Sequence, residues 1–119
     1  MPTMDYEEEY VEQQRRLDAL YDRRVEANDA RMRRLDAQRD EEGLSYLRIV
    51  ALAERAACRQ GLDSSLVADE LQHYLLDSRE VMGRLDDALE DARRERYRIE
   101  RDYDEELERL RRQYRQGGS

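Results

Sequence analysis

The stretch Gly61-Leu62-Asp63-Ser64 decides the fold, because it separates two arms of similar length that are saturated with Arg, Glu and Asp. Gly61 can end one helix in a left-handed conformation, Asp63 can cap the next, and Leu62 can staple onto Val67. These signals specify an all-α chain: a long antiparallel helical hairpin, or two-helix coiled coil. One hairpin domain is expected over 1–119, with arm 1 over about 4–60, the turn at 61–63, arm 2 over about 63–116 and a flexible tail at 117–119.

Working outward from the turn, arm 2 places Leu71, Tyr74, Ser78, Val81, Leu85, Ala88, Ala92, Glu95 and Ile99 at alternating three- and four-residue steps. Such alternation keeps one seam facing a partner helix. Ile99, Tyr103, Leu107, Leu110 and Tyr114 continue the seam with one extra residue, as a stutter does. Arm 1 matches it through Tyr10, Leu17, Tyr21, Val25, Asn28, Met32 and Leu35, then Tyr46, Ile49, Ala53 and Ala56, with polar breaks at Gln14, Arg39 and Glu42. Folding the chain at Gly61 sets Leu17 opposite Leu107, Tyr21 opposite Tyr103, Val25 opposite Ile99, Leu35 opposite Ala88 or Leu89, and Ile49 opposite Tyr74. The same fold brings Glu7, Glu8 and Glu9 near Arg111, Arg112 and Arg115, where their charges suit the helix dipoles. Gly43 interrupts arm 1. A glycine inside a helix costs about 1 kcal/mol, so it kinks the arm, splits it, or is carried through by the pattern that resumes at Tyr46, Ile49 and Ala53.

Composition limits the core and the chemistry. Charged residues make up 44% of the 119 positions and the mean hydropathy is -1.15, which leaves apolar matter for a thin core only. The charges are mixed in sign and Pro occurs only at position 2, which fits a solvated helix pair better than a disordered acidic tail. There is no apolar run long enough for a membrane span, and residues 1–10 lack the regions of a signal peptide, so the expectation is a soluble cytoplasmic chain. All 22 basic residues are Arg; Lys, Trp and Phe are absent. Arg keeps the charge of Lys and adds a rigid donor fork for carboxylates. The net charge of -8 and the acids beside nearly every Arg argue against nucleic acid, including at the densest basic patches, 31–34 and 93–98. Cys58 is the single cysteine, expected as a small buried residue near the hairpin tip.

Between positions 44 and 82 the apolar residues outgrow one stripe. Leu44, Leu47, Val50, Leu52, Leu62, Leu66, Leu75, Leu76 and Met82 cannot all face the seam, and Tyr46 and Tyr74 fall in the same region. A tip that is apolar on two faces calls for a second hairpin, completing a four-helix bundle, or for a partner helix in its groove. These eleven residues are the candidate partner-binding set, whether the partner is another helical protein or a second copy. Local packing around a break at Gly43 is the structural alternative. Tyr supplies all eight aromatic residues; most lie on or beside the seams, where the ring packs and the hydroxyl reaches water, while Tyr97 lies off the seam.

Catalytic signals are weak. Glu70-Leu71-Gln72-His73 is a Glu-x-x-His step of the kind di-iron bundles use, with Glu54 roughly across the hairpin, and it defines the alternative reading of a metal-binding hairpin dimer. Leu71 and Tyr74 take the seam, however, and turn Glu70 and His73 to its flank, so no metal or other cofactor is assigned. Cys58 and Ser64 have no base or oxyanion arrangement beyond the lone His73. No enzyme activity is expected.

The hairpin and its apolar tip resemble the small helical-hairpin proteins of type VII secretion, the WXG-type proteins and the helical partners of LXG toxins. Arg59-Gln60-Gly61 stands where the Trp-x-Gly turn of that family would be, without its Trp, and no Tyr precedes an acid by four residues. The resemblance implies pairing with a second helical hairpin, and those departures fit an accessory, toxin-targeting partner better than a secreted one. The acidic, arginine-rich segment 86–115 also looks like the stalk helices of type III secretion and flagellar export. The combined expectation is a non-enzymatic adaptor, chaperone or toxin-targeting module associated with a secretion system.

Overall fold

A computed structural model describes residues 2–59 and 64–118, with side chains over 6–59 and 65–117. The chain forms two helices, α1 Pro2–Cys58 and α2 Ser64–Gly118, and the described residues contain no strand. It is the all-α helical hairpin that the sequence specifies. The turn chemistry expected of Gly61, Leu62 and Asp63 lies outside the described residues. Pro2 falls in the first turn of α1, where the missing N–H has no helical acceptor to lose. At the other end, the Arg59 N–H donates to the Ala56 carbonyl at 3.2 Å, a closure one residue tighter than the helix it follows. The expected end at 116 moves outward, since α2 continues to Gly118.

α1 runs unbroken through Gly43, so the split considered for arm 1 does not occur. A β-carbon at Gly43 would meet nothing within 4 Å. The residue is there neither for a left-handed conformation nor for close packing.

The chain divides into two compact units: residues 1–31 with 92–119, and residues 32–91. In the first unit the helices meet along the expected seam. Ala92 and Ile99 are fully enclosed and Leu110 nearly so, with Asn28 buried opposite. The Asn28 side-chain amide donates to the Ala92 carbonyl at 2.9 Å, which satisfies a polar group that burial would otherwise penalise. Tyr21 packs on Tyr103 with ring centroids 4.5 Å apart, as the register requires. Eleven residues farther along each arm, Tyr10 packs on Tyr114 at 4.3 Å, and Tyr6 stacks on Tyr114 at 5.5 Å.

Charge lines both edges of this seam. The Arg24 guanidinium spans Glu95 at 3.5 Å and Asp102 at 3.3 Å, while Arg96 reaches Asp29 at 3.3 Å and Glu100 at 3.0 Å. Each such half-exposed pair contributes about 0–1 kcal/mol, so their main effect is to hold the register. Hydrogen bonding to Glu100 raises the Arg96 pKa further above its ordinary value. The expected pairing of Glu7, Glu8 and Glu9 with Arg111, Arg112 and Arg115 is not formed among the described residues. Glu7 instead accepts from the Tyr114 hydroxyl at 3.4 Å, and Arg112 pairs with Glu108 on its own helix.

The second unit is packed more thinly. Leu89 and Ser78 are its buried residues, and from 29 to 77 no described residue is fully buried. The seam of α2 passes through Met82 and Leu89 rather than Val81 and Ala88. Val81 is exposed, because steps of four from Ser78 to Met82 and of three to Leu85 follow the helix more closely than the reverse order. Arg39, read as a break in the seam, crosses to Asp86 at 2.8 Å.

Two measurements test this packing. Replacing Gly43 with Ala removes backbone freedom without a clash and should stabilise the chain by about 0.5–1 kcal/mol, read as a higher urea midpoint at unchanged slope. A lower midpoint would show that the position needs glycine. The second concerns Tyr103, whose hydroxyl donates to Asp18 at 2.6 Å; that bond, then burial, then the Asp18 charge push the phenol up to about 12. The unfolded phenol ionises near 10 while the folded one keeps its proton, so this contribution is intact below about pH 10 and is lost between about 10 and 12. Tyr103→Phe should therefore melt lower at neutral pH and decline less steeply across that window.

Candidate functional site

The apolar surplus predicted for 44–82 lies at the surface. Leu44, Leu47, Leu52, Leu66 and Leu76 are each more than half exposed, and Tyr46 is 41% exposed. Val50, Tyr74, Leu75 and Met82 are half-buried along the seam, and Leu62 lies outside the described residues. Among the described residues, seven of the ten large apolar side chains left exposed fall between 44 and 81.

Helical spacing distributes these residues over two flanks instead of one patch. On one flank Ile49, Leu52, Ala53 and Ala56 of α1 face Leu66, Val67, Glu70 and Leu71 of α2 across an open apolar groove. On the other, Glu42, Gly43 and Tyr46 face Leu75, Ser78, Arg79 and Met82. Leu44, Leu47 and Leu76 line neither. Ala53 and Ala56 were legible only as seam positions, and their groove-forming role follows from size: alanine leaves the space beside Leu52 and Leu66 unfilled. Over the same stretch the Tyr74 hydroxyl is buried without a hydrogen-bond partner.

The alternative constellation does not assemble within the chain. Among the described residues no three His, Cys, Asp or Glu side chains come together as a group that could hold a metal ion, so Glu54, Glu70 and His73 are not brought to one point. The His73 Nδ1–H donates to the Asp69 carbonyl at 2.9 Å, one turn back on its own helix. Cys58 is exposed, contrary to the burial expected of a small residue at the end of arm 1. Tyr97 is exposed, as its position off the seam requires. Of the two basic patches, 93–98 engages acids through Arg96 and Arg98, the latter reaching Glu95 at 2.9 Å. No helix among the described residues is long and apolar enough to cross a membrane.

Compared with known proteins, the chain matches no family model, no curated protein and no solved structure. The site is therefore read from its own chemistry: an apolar surface on two paired helices, bordered by charge.

The stranded Tyr74 hydroxyl yields a direct test. An unsatisfied buried hydroxyl costs about 1–3 kcal/mol, so Tyr74→Phe should leave the isolated chain as stable as before or more so, measured by urea denaturation. A loss of about 1 kcal/mol or more would show that the hydroxyl has a partner in solution.

Proposed function

We propose that this chain is a non-enzymatic interaction module that pairs with another helical protein through its 44–82 region. The observation that carries the reading is the concentration of exposed leucines on a stretch, 44 to 77, in which no described residue is fully buried. Exposed apolar surface on a chain this polar is costly to leave in water, and paired helices with an open groove suit a helix laid along them. The setting implied by the resemblance to type VII secretion hairpins is that of an adaptor, chaperone or toxin-targeting partner, in which the second helical hairpin covers the tip.

Tagged chain recovered from its native host, alone and as Leu66→Glu or Leu52→Glu, tests the proposal. A covered leucine contributes about 1.5–3 kcal/mol, so each charge should weaken a partner complex by roughly tenfold or more while circular dichroism shows unchanged helicity. A stoichiometric helical partner retained equally by all three would overturn it.

A further inference from the structure

Resting on the reading of 44–82 as a docking surface, we propose that the groove between Leu52 and Leu66 is covered by a second copy of this chain. The two copies lie turn end beside turn end, with α1 of each facing α2 of the other. Charge selects this occupant. On α1, Arg48 and Arg55 stand four residues before and three residues after Leu52, which places them on its face of the helix. On α2, Glu70 lines the groove one turn beyond Leu66, and Asp77 follows it by seven residues on the same face. The groove thus has a basic rim on α1 and an acidic rim on α2. Arg79, the basic residue of this part of α2, lines the opposite groove.

Among the described residues none of these four charges forms an ion pair, whereas Arg24, Arg39 and Arg96 all cross to acids on the facing helix. Their levels along the hairpin are also matched. Arg39 pairs with Asp86 at 2.8 Å and fixes the register of this unit. Arg48 lies nine residues beyond Arg39, and Asp77 lies nine residues before Asp86, so the two share a level. Seven more residues in each direction bring Arg55 level with Glu70.

A two-fold axis parallel to the helices preserves level and exchanges α1 with α2. It presents the Asp77 of one copy to the Arg48 of the other, and Glu70 to Arg55, with each contact made twice as an isologous interface requires. Leu52 and Leu66 are enclosed between the two rows. The opposite arrangement, with turn ends apart, sets α1 against α1 and brings Arg48 and Arg55 onto their own like charges. A row of one sign and a row of the other, at equal levels on one surface, is what self-pairing needs and what an unrelated helix would not demand.

The test uses the full chain, an Arg48→Glu, Arg55→Glu variant, a Glu70→Arg, Asp77→Arg variant and an equimolar mixture of the two, each followed by sedimentation equilibrium and circular dichroism. The expected result is a dimer for the unaltered chain, a dissociation constant raised by about tenfold or more for each variant alone, and a restored heterodimer on mixing. A monomeric unaltered chain, a dimer that survives both reversals, or a mixture that fails to reassociate would overturn the pairing. Leu52→Glu separates the two levels of the proposal. If it releases a helical partner recovered from the host while the unaltered chain is monomeric, the self-pairing falls and the docking surface stands; if it changes neither association, both fall.

Discussion

Two helices with nothing laid across them can bury one stripe each, and every feature of this chain follows from how well its apolar residues keep to that limit. A helix in such a pair meets its neighbour over roughly one residue in three or four, so the side chains beside the stripe remain at the edge of water. Residues 6–31 and 92–117 keep closer to the limit, leaving only Val11, Leu20 and Tyr97 as large exposed apolar side chains among the described residues. Ala92, Ile99 and Leu110 fill the stripe, and the positions beside it go to tyrosines, whose rings pack and whose hydroxyls reach Asp18 or Glu7, and to Arg24 and Arg96, whose forks cross to acids. Arg suits these edge positions better than Lys, because its planar guanidinium can hold two carboxylates seven residues apart, as Arg24 does with Glu95 and Asp102.

Residues 44–77 exceed the limit. Their leucines stand at Leu44, Leu47, Leu52, Leu66 and Leu76, positions that no single stripe can collect, and alanines at Ala53 and Ala56 occupy the seam where bulk would have closed it. Alanines in the seam and leucines outside it leave this part of the hairpin less enclosed than a self-sufficient pair would be. The arrangement has a physical use, since the same leucines would lie inside if another pair of helices covered them.

The fold was legible because its signals are local and repeated. The turn residues mark one reversal, and counting outward from it predicts Tyr21 against Tyr103 without any knowledge of side-chain geometry. The choice between Val81 and Met82, or between Ala88 and Leu89, was not legible in the same way, because adjacent residues lie 100° apart on a helix and a strict heptad drifts about 20° per repeat from a straight one. The continuity of α1 through Gly43 was open because a glycine weakens a helix by about 1 kcal/mol, a cost that a helix continuous from Pro2 to Cys58 absorbs. The candidate surface was legible as a surplus but not as two flanks, since composition counts leucines without saying on which side of the seam each one falls. The charge pairing was the least legible part: Glu7, Glu8 and Glu9 stand level with the C-terminal arginines, yet long side chains at a solvated helix end gain too little from meeting to be held together.

Beyond Ala92 the seam and the positions at its edge step through Arg96, Ile99, Tyr103, Leu107, Leu110 and Tyr114, a four-three-four sequence occurring twice, so that Ala92, Tyr103 and Tyr114 recur every eleven residues. On α1 the same interval separates Tyr10, Tyr21 and Met32. Eleven residues in three turns is 3.67 per turn, close to the natural helix, so a stripe with this repeat stays in line with little supercoiling. That explains why one narrow seam suffices where the repeat is kept. From Leu44 to Leu52 every position but Ser45 and Arg48 is apolar, so Ile49 and Val50 are half-buried while Leu44, Leu47 and Leu52 fall on other faces of α1. Exposed leucines concentrate where apolar residues outnumber the positions of one stripe, and that is the point at which two helices cease to be enough.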